Sequence, residues 1–344
     1  MIDISVVTAI KNEEENIEEY LERLYKTMCK LGISYEVIFV TDINQDNTYE
    51  ILKEKNHKDS RIKIVKLSRG YGQYTAIMAG LDHVSGNVIV TMDSDLQDYP
   101  EDIEGLYKKL QEGYDIVYGI KEKKDDSLIR NILSRLYLLI LNSLSDIKLN
   151  HNTNIFRIMS CRAVRAIRSF PEHSPSLTGI SSLVGFPMTS LKVTSGTRKR
   201  GKTKYHCLSL FSLAFDTIFS YTVKPLRMIS LLGVIVSCLS LIYLMADLAQ
   251  VFFFAYNVVP GWPTVISSII FLGGIQLISL GIIGEYVGRS YIEGKKRPLY
   301  IIEEKIGEFN SSIEKLSYGA TGHFSSTDRC FKCCCGANFA EKDA

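Results

Sequence analysis

The chain of 344 residues lacks a surplus of basic charge, a cysteine framework and a recognisable export signal. Its 40 Lys and Arg stand against 38 Asp and Glu, a net charge of +2. Proteins that grip nucleic acid usually carry a clear basic excess, so no nucleic-acid partner is expected. Met1-Ile2-Asp3-Ile4-Ser5 has no charged region leading into an apolar run, so no signal peptide is expected. Eight cysteines are present but not in the spacing of a disulfide-stapled secreted domain, which fits a reducing compartment. Cys29, Cys161, Cys207 and Cys238 are scattered and read as small core or membrane-facing residues. Cys330, Cys333, Cys334 and Cys335 crowd near the end.

The first half alternates short apolar runs with amphipathic stretches. Ile4–Ile10, Tyr35–Thr41, Ile62–Leu67, Asn87–Met92 and Asp115–Tyr118 are rich in Val and Ile and read as buried parallel strands. Glu13–Leu31, Thr48–Lys55, Gly72–His83 and Pro100–Gln111 read as the helices between them. Gly32, Gly86 and Gly113 stand where helices stop. This alternation predicts an α/β domain with a mostly parallel sheet and ligands at the carboxyl ends of its strands.

Further along, Ser127–Leu144 is apolar but carries Arg130 and Arg135. It is short for a span and suits a helix lying on a bilayer surface, or an ordinary buried helix. Cys207–Thr222 is similar. Met228–Ala246 and Thr264–Gly284 contain no charged residue. Each is close to the roughly 20 residues that cross a bilayer. Asp247 marks the end of the first, and Asn257, Pro260, Gly261 and Pro263 mark a turn, with Trp262 at an interface. The connector holds no Lys or Arg while both outer flanks are basic, which places both ends of the chain on the cytosolic side. Two helices of a soluble bundle are the plainer alternative.

The chemistry concentrates after the fourth strand, in Asp93-Ser94-Asp95-Leu96-Gln97-Asp98. Two carboxylates around a small residue at a strand end suit Mg²⁺ or Mn²⁺, with the other ligands supplied by a diphosphate. Alone, such a pair is more often a solvated acidic turn. It stands here in a series with Asn12-Glu13-Glu14-Glu15-Asn16-Ile17, Thr41-Asp42-Ile43-Asn44-Gln45-Asp46-Asn47-Thr48 and Ser68-Arg69-Gly70-Tyr71-Gly72-Gln73. Arg198-Lys199-Arg200-Gly201-Lys202-Thr203-Lys204-Tyr205 and Pro225-Leu226-Arg227 follow. The series ends on Gly281-Ile282-Ile283-Gly284-Glu285-Tyr286-Val287-Gly288-Arg289 and Lys296-Arg297-Pro298-Leu299-Tyr300.

Over about residues 1–303 this series resembles the family 2 glycosyltransferases of GT-A fold. It is closest in kind to the polyprenyl-phosphate branch, which includes dolichyl-phosphate mannose synthase and the GtrB-type enzymes. The resemblance implies a Rossmann-like GT-A domain with interfacial helices, followed by two transmembrane helices. It implies transfer of a monosaccharide from a uridine- or guanosine-linked nucleotide-sugar to polyprenyl phosphate. Carried over, Ala9, Lys11, Glu13 and Asp42 line the nucleotide pocket with Asp93, Ser94 and Gln97, and Asp93 and Asp95 bind the metal and serve catalysis. Glu13 also suits the start of a helix, where an acid complements the dipole.

Arg130 and Ser134, four apart on one helix face, bind the acceptor phosphate by the same resemblance. A snorkelling Arg is the alternative. Arg198, Arg200, Lys202 and Lys204 face the donor diphosphate or anionic lipid headgroups. The family pattern has Pro and Tyr at Ala9 and Lys11, Asp-Asp-Gly-Ser at Thr41–Asn44, Asn at Gly70 and Asp at Ile155. A phosphate acceptor is already anionic near neutral pH, its second pKa being near ~6, so no general base is needed. Single displacement with inversion follows.

The expected domains are 1–225, a cytosolic catalytic domain; 226–290, a two-helix membrane anchor; and 291–344, a cytosolic Cys-rich tail. Cys330 and Cys333 have zinc spacing with His323 near, but three consecutive cysteines suit one tetrahedral site poorly. Disorder or acylation is the preferred reading of that tail. Two other classes stay open. One is a processive polysaccharide synthase, although its Gln-x-x-Arg-Trp motif is absent. The other is a non-catalytic membrane protein that binds nucleotide-sugar. The sugar, the base and the formation of a homo-oligomer are left open.

Overall fold

The computed structural model describes residues 2–121, 155–170, 177–194, 196, 222–254 and 262–309. Eight strands form one sheet: β1 (Ile4–Ile10), β2 (Tyr35–Thr41), β3 (Ile62–Leu67), β4 (Val88–Thr91), β5 (Ile116–Lys121), β6 (Arg157–Ser160), β7 (Met188–Val193) and β8 (Ile302–Ile306). Their spatial order is β7-β5-β6-β4-β1-β2-β3-β8. The helices are α1 (Ile17–Leu31), α2 (Thr48–Lys58), α3 (Gln73–Leu81), α4 (Ile103–Gln111), α5 (Cys161–Arg168), α6 (Leu177–Val184), α7 (Lys224–Phe254) and α8 (Trp262–Gly294).

Alternation along the strands sorts the core into two layers. Ile4, Val6 and Ile10 of β1 join Val37, Phe39, Ile62 and Ile64 under α1, α2 and α4. Val7 joins Ile38, Val40, Val65 and Leu67 under α3, α5 and α6. Each such side chain, fully buried, contributes roughly 1.5–3 kcal/mol. Helix α1 shows how the sequence achieves this. Ile17, Tyr20, Leu24, Thr27 and Met28 fall on its buried face, and Gly32 ends it at φ 65° with its N–H on the carbonyls of Met28 and Cys29. Helix α3 approaches the sheet so closely that a Cβ on Gly80 would lie 2.3 Å from Val7 Cγ1.

The structure corrects several expectations. The sheet is mixed: β6 runs antiparallel to β4 and β5, and β8 runs antiparallel to β3. Strands β6, β7 and β8 were not expected from the sequence. The helix expected over Pro100–Gln111 opens as a 3₁₀ turn, Pro100–Asp102. Asp247 does not end its helix, since α7 runs on to Phe254. Trp262 begins α8 rather than lying in a turn, and Pro263 takes the early position where its missing N–H costs nothing. Cys29 is exposed on α1 rather than small core.

Helices α7 and α8 present apolar side chains outward. Leu277 is 72% exposed and Ile242 65%, which a soluble bundle would not leave in water. Among the described residues, Phe271–Gly294 is the one segment long and apolar enough to cross a membrane. At the base of the hairpin Tyr286 donates its hydroxyl to the Thr222 carbonyl at 2.7 Å. The expected interfacial stretch Ser127–Leu144, nearly all of Cys207–Thr222 and the cysteine cluster lie outside the described residues.

Candidate active site

Strand β1 is flanked by β2 on one side and β4 on the other. The carboxyl ends of β1, β2 and β4 open into a crevice, where a sheet of this kind places its ligands. A cavity of about 750 Å³ occupies it. Its walls hold Ala9, Lys11 and Glu13 after β1, Asp42 after β2, and Asp93, Ser94, Asp95 and Gln97 after β4. All eight nucleotide and metal candidates therefore meet in one place. Arg130, Ser134, Arg198, Arg200, Lys202 and Lys204 lie outside the described residues.

The first two loops are stitched together by reciprocal hydrogen bonds. Asn12 N–H donates to Asn44 Oδ1 at 3.1 Å, and Gln45 N–H donates back to Asn12 Oδ1 at 2.7 Å. Glu14 N–H reaches Asp46 Oδ2 at 3.2 Å, and Asn47 N–H reaches Glu14 Oε2 at 2.9 Å. Asn12 sits at φ 55°, a conformation Asn tolerates better than most residues. Glu13 accepts from Asn16 Nδ2 at 2.5 Å at the start of α1.

Between those loops Lys11 Nζ lies 2.9 Å from Asp42 Oδ2. The other carboxylate oxygen, Asp42 Oδ1, is buried with no hydrogen-bond partner among the described residues. Gly70 makes this arrangement fit, because a Cβ there would stand 2.9 Å from Asp42 Oδ2.

The acidic motif is held in a tight, strained turn. Leu96 is buried yet adopts φ 58°, costly for a bulky residue. Asp95 receives Gln97 N–H at 3.1 Å and Gln97 Nε2 at 2.7 Å. Asp93 receives Gln73 Nε2 at 2.8 Å. Asp98 is buried and pairs with Lys121 Nζ at 2.7 Å. Burial, with the charges of Asp98 and Asp95 beside it, pushes the Asp93 carboxyl up to about 7. The same burial raises Asp98. Among the described residues no three acidic, His or Cys side chains form a ready-made metal cage.

Asp98, Lys121 and Gln73 were not among the expected site residues. Asp98 and Gln73 were visible inside their motifs, whereas nothing near Lys121 in sequence marks it. Gly196, just before the basic run, donates its N–H to the Gln97 carbonyl at 3.2 Å. A Cβ there would lie 2.4 Å from the Leu96 carbonyl oxygen. Ile155 also borders the cavity, and behind it Arg157 is buried, with its guanidinium on Thr178 and Ser181.

A family model for glycosyl transferase family 2 matches residues 5–168, and one for the GtrB C-terminal hairpin matches residues 224–290. An uncharacterized glycosyltransferase of Synechocystis, sll0501, is 37% identical over 317 residues, 92% of this chain and 99% of that protein. The chain belongs to the family 2 glycosyltransferases, in the GtrB-type polyprenyl-phosphate branch. A prophage bactoprenol glucosyl transferase homolog of Escherichia coli is 34% identical to this glycosyltransferase, over 87% of this chain and 98% of that one. Among solved structures, glucosyl-3-phosphoglycerate synthase of Mycobacterium tuberculosis is similar at a TM-score of 0.45 and 18% identity, covering 63% of this chain and 76% of that one.

Proposed function

We propose that this glycosyltransferase moves a monosaccharide from a uridine diphosphate sugar to polyprenyl phosphate at the cytosolic membrane face, with inversion and with a divalent cation. The observation that carries this reading is the single cavity in which Asp42, Lys11, Asp93 and Asp95 converge.

Polar atoms at the β1 and β2 ends are compatible with a uracil base. Asp42 offers one unused acceptor, and Lys11 offers a donor beside it. Uracil presents a donor, N3–H, next to an acceptor, O4, and matches this order.

The carboxylates suit a cation. Asp93, Asp95 and Asp98 crowd together, and Lys121 pairs with Asp98. Mg²⁺ and Mn²⁺ are held by one or two carboxylates with diphosphate oxygens completing the shell, so Asp93 and Asp95 are the residues that would hold it. When bound, it offsets the charge that builds on the departing diphosphate. Gln73 and Gln97 orient the two carboxylates. Arg198, Arg200, Lys202 and Lys204 are assigned to the diphosphate, and Arg130 and Ser134 to the acceptor phosphate.

The acceptor needs no base from the protein. Ile155 stands at the cavity where the family pattern has Asp, and a phosphate monoester with a pKa near ~6 is already ionised. The bactoprenol relatives support a lipid phosphate in this role.

Topology supports two crossings. Strands β1–β7 precede the hairpin and β8 follows it, yet β8 pairs with β3 in the same sheet. A chain that leaves and returns to one side crosses an even number of times. With Phe271–Gly294 as one span, α7 supplies the other.

The test is incubation of the detergent-purified protein with polyprenyl phosphate, Mn²⁺ or Mg²⁺, and a panel of labelled nucleotide-sugars. Labelled lipid from uridine-linked donors, lost in Asp95→Ala, is the expected result. Nucleotide binding without labelled lipid from any donor points to the non-catalytic class instead.

A further inference from the structure

The segment just after α8 grips helix α3 at both of its ends. At the far end, Tyr300 donates its hydroxyl to Asp82 Oδ2 at 2.5 Å, and Asp82 closes α3. Arg168 Nε completes that contact on Asp82 Oδ1 at 2.6 Å. At the near end, Ser68 N–H donates to the Ile301 carbonyl at 3.0 Å. The Tyr71 hydroxyl lies 3.1 Å from Ser68 Oγ, next to the Ile301 backbone. Tyr71 and Gly72 then form cavity wall, and Gln73, the first residue of α3, holds Asp93 at 2.8 Å. Gly72 bends the chain into α3 at φ 86° and ψ 160°, a conformation open mainly to glycine.

We propose that Tyr71 and Tyr300 are positioning residues, through which the chain returning from the membrane hairpin sets α3 and so aims Asp93 at the donor diphosphate. This rests on the reading of the cavity as the donor site. The physical reason is lever geometry. Helix α3 is nine residues long, and its packing on Val7 and Val40 at Gly80 leaves no slack toward the sheet. Contacts at its two ends restrain movement along its axis, and residues 300–301 contribute at both, with Arg168 at the far end. Tyr71 borders the cavity with its hydroxyl on Ser68, and Tyr300 is not among the cavity residues; the effect assigned to each runs through Gln73 to Asp93.

The experiment is calorimetric titration of the full chain in detergent with uridine diphosphate and Mn²⁺, alongside thermal melting. Tyr71→Phe and Tyr300→Phe each remove one hydroxyl and keep the packing. Tyr71→Phe is expected to weaken binding about 5- to 20-fold, the scale of a lost hydrogen bond. Tyr300→Phe is expected to weaken it about 3-fold or more by the same measure. Gln73→Ala weakens binding as Tyr71→Phe does, and the double variant is no weaker than the worse single one, because both act along one chain of contacts. Tyr49→Phe, which loses a β8 contact to Glu304 away from α3, lowers the melting temperature but binds as wild type. Wild-type binding by Tyr71→Phe and Tyr300→Phe overturns the proposal. Equal weakening by Tyr49→Phe also overturns it, since the effect would then be general loosening of β8. A wild type that binds no nucleoside diphosphate with Mn²⁺ overturns the donor reading, and this proposal with it.

Discussion

The two ends of the sheet bury charge in opposite ways. At the amino ends, Glu36 of β2 lies 2.7 Å from Lys63 Nζ and also accepts from Ser5 Oγ at 2.5 Å and from Ser85 N–H at 2.6 Å. Ser5 Oγ in turn receives Gly86 N–H at 2.8 Å. Glu36 there has an opposite charge and fixed donors. At the carboxyl ends, three acidic side chains meet with Lys121 beside Asp98, and the Asp93 carboxyl is driven up to about 7. A closed network needs nothing more and holds strands together. Acids crowded and buried in a cavity, with the Asp93 carboxyl raised, mark the working end.

Four measurements break or sharpen this contrast. Glu36→Ala strands the Lys63 ammonium and is expected to cost about 3–5 kcal/mol. Replacing both partners, Glu36→Met with Lys63→Leu, recovers most of the loss in a melting experiment. A single variant that melts like wild type would remove the closed network from the comparison. At the other end Asp95→Ala is expected to lower transfer to lipid phosphate about 10²- to 10³-fold while the melting temperature holds, by analogy with lost electrostatic stabilisation. Gly80→Ala tests the packing between the two ends. The added methyl meets Val7 and is expected to cost about 1–3 kcal/mol.

The smallest effect depends on pH. Asp93 takes up its proton more readily in the fold than in the open chain, because its carboxyl is raised from its ordinary 3.8 to about 7. Without added cation, its contribution to stability is therefore complete below about pH 4 and declines as pH rises through 7. Asp93→Asn removes that slope. It is expected to melt above wild type by about 1–2 kcal/mol at pH 8, and to lose the advantage at pH 4. Mn²⁺ should close the gap at pH 8 by stabilising the wild type. A gap independent of pH would show that the Asp93 carboxyl is not raised in the fold.

The sequence carried the central half of the sheet well. β1, β2 and β3 begin and end where their Val- and Ile-rich runs do. These strands are buried on both faces, so their composition is uniform. The other strands disguise themselves. β6 is only Arg157-Ile158-Met159-Ser160, too short to show a period. β8 reads Ile302-Glu303-Glu304-Lys305-Ile306, with its charges on the exposed edge where they discourage pairing between molecules. Missing these two hid the antiparallel pairings in a sheet whose other four pairings are parallel. The site was legible where one motif carried it, as at Asp93–Asp98. It was not legible where partners came from distant elements, as with Lys121 on Asp98 and Tyr300 on Asp82.

The pairing of β8 with β3 has a consequence for biosynthesis. Leu67 finds its partner Ile302 more than two hundred residues later, after both hairpin helices have been made. At roughly 5–20 residues per second, the β3 edge waits on the order of 10–50 seconds on the ribosome with its backbone groups unclaimed. Insertion of the hairpin thus precedes closure of the sheet. A fragment cut before the hairpin keeps that edge open for good, and the natural outcome of such a fragment is association through it rather than a tidy soluble enzyme.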